Sequence, residues 1–101
     1  MTVLHTVNKS PFERNSLEAC IDHATDGSAV LLIEDAVLGA VAVGDIAARI
    51  KAANGIKIYV LGPDLAARGM TEDQVIDGID VVDYGGFVDL AATHDTVHAW
   101  M

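Results

Sequence analysis

The side chains able to do chemistry are few. Cys20 is the single cysteine and the one strong nucleophile. A thiol reacts as its thiolate, which needs a nearby cation or a helix N-terminus to lower its pKa. Cys20 falls well inside a predicted helix, and its neighbours Glu18 and Asp22 are acidic. Two readings therefore stand side by side. Cys20 is a small, half-buried core thiol, or it is a reactive thiol with His23, three residues on, as its base. Cys20-x2-His23 taken with His94-x3-His98 has the look of zinc-ligand spacing. The two halves are far apart in the chain, and His94 and His98 fall on different predicted elements. Ordinary surface or interface histidines account for them, and no metal is expected. Glu34-Asp35 is an acid–base pair, or a solvated strand end that caps the next helix. Arg68, before Gly69, binds an anion or an acidic partner, or it is a cation favoured by the dipole at a helix C-terminus. Trp100 closes a chain that is only 5% aromatic, so it is expected to dock on the core or on a partner.

The elements that must position these groups follow from periodicity and turn signals. Val3–Val7 reads as a strand. Ser10-Pro11-Phe12-Glu13 opens a helix: Ser10 caps, Pro11 suits the first turn, and Glu13 closes a capping box. That helix should run from Pro11 to Ala24. Leu17, Ile21 and Ala24 form its apolar stripe, with Cys20 at the edge. Ala29–Ile33 is apolar on both faces, as in a central strand covered from two sides. Ala36–Val43 is a weak helical segment, and Asp45 caps a second piece over Ile46–Ala53. Ile56–Leu61 is the third strand. Gly62-Pro63-Asp64 is a turn leading into a short helix that ends at Arg68. Thr71–Gln74 is another capping box, opening a helix that stops at Gly78. Ile79–Asp83 is the fourth strand, the segment around Phe87–Ala91 is helical to about His94, and Thr96–Trp100 is the last strand.

Strands alternate with helices throughout, β-α-β-α-β-α-β-α-β. Such crossovers return the chain to the same end of the sheet, so the strands run parallel. The expected fold is a small three-layer α/β domain with a mostly parallel sheet, one domain over residues 1–101. Sites in such sheets gather beyond the C-terminal strand ends. Here those ends carry Asn8, Glu34-Asp35, Pro63-Asp64 and Asp83-Tyr84.

Composition narrows the functions. The chain has 101 residues, 51% of them hydrophobic, which excludes a disordered polymer. Six Lys and Arg against fifteen Asp and Glu give a net charge of −9. That surface repels phosphate and anionic lipid, so direct contact with nucleic acid or membrane is not expected. The longest apolar run, Ala29–Ile33, is far short of the ~20 residues of a membrane span. With no leader-like N-terminus and a lone cysteine, the expected location is the cytoplasm. Dinucleotide, phosphate-loop, serine-hydrolase and zinc-protease motifs are all missing from the sequence, and no cofactor is expected.

Several segments taken in order resemble one family. They are Leu4-His5-Thr6 with Ser10-Pro11; Leu31-Leu-Ile-Glu-Asp35-Ala-Val37; Tyr59-Val-Leu61 with Asp64-Leu65 and Arg68-Gly69; Asp83-Tyr84 with Phe87-Val88 and Leu90; and Trp100. Together they are similar to the DsrH/TusB family of the DsrE-like superfamily, over nearly the whole chain. The cysteine in the first helix makes the DsrH branch of sulfur-oxidising bacteria the nearer likeness. Ala36 departs from the Gly that often follows the Asp there. The resemblance implies a subunit of a cytoplasmic sulfur-relay heterohexamer with DsrE-like and DsrF-like homologous subunits, two copies of each chain. It implies sulfane sulfur passed as cysteine persulfide to a DsrC/TusE-like carrier. The pathway is sulfur oxidation or 2-thiolation of the tRNA wobble uridine. The principal persulfide cysteine belongs to the DsrE-like subunit, and Cys20 is a second candidate. The alternative is an interaction or scaffold subunit of the same complex with an inert core cysteine.

Overall fold

The structure is a computed structural model that describes residues 2–10, 16–24, 27–41, 45–52 and 55–100. Five strands form one sheet: β1 (Val3–Val7), β2 (Ala29–Leu32), β3 (Lys57–Leu61), β4 (Ile79–Val82) and β5 (Thr96–Trp100). Their order is β4-β3-β2-β1-β5, and every pairing is parallel. The helices are α1 (Ser16–His23), α2 (Asp45–Ala52), α3 (Gly62–Ala67) and α4 (Tyr84–Thr93), with 3-10 helices at Glu34–Val41 and Glu72–Gln74.

The sequence pattern explains the layers. Val30, Leu31 and Leu32 of β2 are fully buried, as an uninterrupted apolar strand at the sheet's centre must be. The first three crossovers, from β1 through to β4, all step the same way along the sheet. Their helices lie on one face, where Leu17, Cys20, Val37, Ile50 and Leu65 pack with Val7, Val30 and Val60. The last crossover reverses, carrying the chain from the β4 edge to the β5 edge. Right-handed crossovers then demand the opposite face. There Phe87, Leu90 and Ala91 of α4 pack on Leu4, Ala29 and Leu31.

Several boundaries differ from the sequence reading, each for a local reason. The helix opening predicted at Pro11–Glu13 lies outside the described residues. No separate turn precedes α3. The helix starts at Gly62 directly from β3, because Pro63 fits the first turn, where a missing N–H costs nothing. The weak segment near Ala36 is a 3-10 helix that begins at Glu34. Gln74 closes the predicted box, its Oε1 accepting from the Thr71 N–H at 2.9 Å. The helix nonetheless ends there and does not reach Gly78, since the Ile76 N–H is drawn to the Ala40 carbonyl at 2.8 Å. The sheet is wholly, not mostly, parallel.

The β5 edge is held at both ends. At its start, Thr2 N–H donates to Asp95 Oδ2 at 2.8 Å. At its finish, Trp100 Nε1–H donates to His5 Nδ1 at 3.0 Å, and the indole lies against the His5, His23 and His98 rings. An accepting Nδ1 puts the proton of neutral His5 on Nε2. Burial, and then the neighbouring His98, lower the His5 pKa. Protonation would aim a second N–H at the indole donor.

Two outcomes follow. A histidine whose folded pKa lies below its unfolded 6.5 adds stability above that pH and loses it as pH falls. Stability of the wild type to urea should weaken as pH falls below about 6.5, with a red shift in Trp100 emission, and His5→Gln should flatten that dependence. Asp83 caps α4 by accepting from the Gly86 N–H at 2.8 Å. Asp83→Ala should cost about 0.5–2 kcal/mol in the same assay.

Candidate functional site

Cys20 lies on the centre of the α1 stripe, not its edge. Leu17 and Cys20 are sealed, at 1% and 0% exposure, while Ile21 and Ala24 flank them half-buried. The reason is that α1 packs against β1, β5 and α2 together, which turns its Leu17–Cys20 side inward. The thiol belongs to the same cluster as Val7, Val30, Leu32 and Ala36. Burial pushes its pKa up to about 12, so near neutrality only about one molecule in 10⁵ carries a thiolate. Of the two sequence readings, the folded chain presents the core thiol, more deeply buried than the half-burial expected.

His23 is engaged elsewhere. It is exposed, its Nδ1–H donates to the Ala19 carbonyl at 2.9 Å, and its ring faces Trp100 at 5.9 Å. Trp100 docks on the chain's own core, the first of its two expected seats. Arg68 spends its guanidinium internally. Nε and Nη2 donate to Asp35 Oδ1 at 3.2 and 2.9 Å, and Nη1 donates to the Asp64 carbonyl at 3.2 Å. Among the described residues, no three His, Cys, Asp or Glu side chains stand where they could jointly hold a metal ion.

Glu34 and Asp35 do not converge as an acid–base pair. Asp35 answers Arg68, while Glu34 sits at φ 50°, a left-handed conformation that non-glycine residues seldom adopt. The Glu34 N–H donates to Asp64 Oδ2 at 2.6 Å, which ties the end of β2 to the first turn of α3. These contacts tie the end of β2, Arg68 and the start of α3 into one corner.

The space lies next door. α3 follows β3 onto one face and α4 follows β4 onto the other, so their first turns diverge from adjacent strands. Ligand crevices in open α/β sheets form at such a divergence. A cleft of about 830 Å³ opens there, lined by residues that include Gly62, Pro63, Met70, Val82, Asp83 and Gly86. Two glycines let both helices start close against β4. A Cβ at Gly62 would come within 3.0 Å of Val81 Cγ1, and one at Gly86 within 2.9 Å of Val82 Cβ. Sequence reasoning named Pro63 and Asp83 as strand-end residues but placed no cleft between them. Gly62 and Gly86 were the missed signals, one after each strand end.

Known proteins fit this architecture. A family profile described as "DsrH like protein" matches residues 9–97. TusB of Pectobacterium parmentieri is 39% identical over 98 residues, covering 97% of this chain and 100% of the relative. TusB of Escherichia coli K12 is 35% identical over the same coverage. Among solved structures, the ychN protein from E. coli superposes with a TM-score of 0.72 at 18% identity over 97% of both chains. The MTH1491 protein from Methanobacterium thermoautotrophicum, described as of unknown function, gives 0.71 at 17% identity over 96% of this chain and 97% of its own. At those identities the two structures share the fold. With a profile match from residue 9 to residue 97 and relatives this similar along their whole length, the chain belongs to the DsrH/TusB family.

Proposed function

We propose that the chain is a subunit of a sulfur-relay assembly serving 2-thiolation of the tRNA wobble uridine, and that it acts through contacts rather than by carrying sulfur on Cys20. The sealed thiol carries this reading. Persulfide relay requires a thiolate to reach the outer sulfur of a donor persulfide while the donor's inner sulfur leaves as a thiolate. Cys20 offers neither access nor ionisation. The relay cysteine then belongs to a homologous DsrE-like subunit, with a DsrF-like subunit beside it and a DsrC/TusE-like carrier as recipient. Two copies of each chain complete the proposed cytoplasmic heterohexamer. The curated relatives at 35–39% identity are named TusB, which favours the tRNA pathway over sulfur oxidation.

The surface supports a role in contacts. Tyr84 and Val88, one turn apart on α4, are 61% and 66% exposed, and Val97 on β5 is 50% exposed. Large apolar side chains left in water suit subunit contacts. The net charge of −9 leaves the tRNA itself to other components.

The test is co-expression with the homologous subunits, purification of the assembly, and treatment with a persulfide donor. Mass spectrometry should find the added ~32 Da of one sulfur on a partner cysteine and none on Cys20. Cys20→Ala should cost on the order of 1–2 kcal/mol of stability from lost packing and leave tRNA thiolation at the wild-type level. A sulfur adduct on Cys20, with thiolation abolished in a folded Cys20→Ala assembly, would falsify the proposal. Failure of the chain to co-purify with homologous subunits would remove the assembly.

A further inference from the structure

The cleft between the β3 and β4 ends has a chemistry of its own. Its apolar lining comes from Leu65, Met70, Val81 and Val82 with the exposed Ala66 beside them, and the exposed Glu72, Asp73 and Asp83 also line it. Among the described residues, no lysine or arginine lines it. An anionic ligand would meet three carboxylates and no cationic side chain among the described residues there. A metal ion would find them already engaged in part, because Asp83 caps α4 and Asp73 accepts from the Thr71 hydroxyl. Small-molecule sites enclose most of their ligand, whereas this groove lies open to solvent. An open groove lined by apolar and acidic side chains matches a polypeptide that places an apolar side chain between cations. The overall charge of −9 would steer such a segment towards the chain.

We propose that the cleft between the C-terminal ends of β3 and β4 is a docking groove for a partner's polypeptide segment carrying lysine or arginine on either side of an apolar side chain. The apolar side chain rests on Met70, Ala66 and Val82, and the cations face Glu72, Asp73 and Asp83. The divergence of α3 from α4 fixes the groove in the folded chain, so the segment adapts to it. The inference deepens the proposed function, since it rests on the chain working through partners.

The experiment is an NMR titration of the full-length chain with a short peptide of alternating leucine and lysine. A leucine–glutamate peptide serves as control. Shifts should concentrate at the amides of Gly62, Ala66, Thr71 and Gly86, weaken as salt is added, and be missing with the control peptide. Ala66 is exposed on α3, so Ala66→Arg keeps the helix while filling the groove and lowering its negative charge. It should weaken binding about tenfold or more, and Glu72→Lys should weaken it in the same direction. Shifts spread evenly over the acidic surface, or equal binding by wild type and Ala66→Arg, would overturn the groove. The two proposals fail separately. A wild-type chain that recruits no homologous subunits defeats the assembly whatever the peptide does. An intact assembly with no peptide binding at the cleft defeats the groove alone.

Discussion

The reversal of the final crossover organises this molecule. Three right-handed crossovers in one direction must stack their helices on one face, and the fourth, running back across the sheet, must cover the other. From that constraint come both features that bear on function. The crowded face draws α1 down between β1, β5 and α2 and closes over Cys20. The sparse face leaves α4 to cross alone, and its start parts from α3 to open a cleft at the strand ends.

Cys20 shows how packing decides the chemistry of a thiol. Its acidic sequence neighbours predicted only a modest thiolate fraction. Desolvation then raises the pKa to about 12, and among the described residues no cation offsets it. A buried cysteine of this kind behaves as a small apolar side chain. The histidines nearest in sequence take up other duties. His23 bonds back to its own helix, and His5 accepts the indole N–H that seats the last strand.

Much of the fold was legible in the sequence because its signals are local. The apolar run Ala29–Ile33, the Thr71–Gln74 box and the β-rich Thr96–Trp100 each specify an element without outside help. The misjudged boundaries are those decided by distant partners. The Ile76 N–H answers Ala40, and Glu34 adopts φ 50° with its N–H held by Asp64. The site was less legible for the same reason. Cys20 sits where a helical wheel drawn for α1 alone puts an edge, and only its contacts with β1, β5 and α2 turn that edge into the centre. Arg68 read as a free cation because Asp35 lies far from it in sequence. The cleft depends on the strand order, which alternation of elements does not specify, so Gly62 and Gly86 looked like ordinary turn residues.

The account stands or falls on the state of the Cys20 sulfur in the folded chain. Its alkylation by iodoacetamide, followed against pH in the native protein and again in denaturant, reads that state. A sealed thiol gives a slow native rate with no inflection between about pH 6 and pH 9, and a fast reaction once the chain is unfolded. Rapid native labelling, with a rate that climbs through an apparent pKa below about 9, would show an ionised and reachable sulfur and contradict the account.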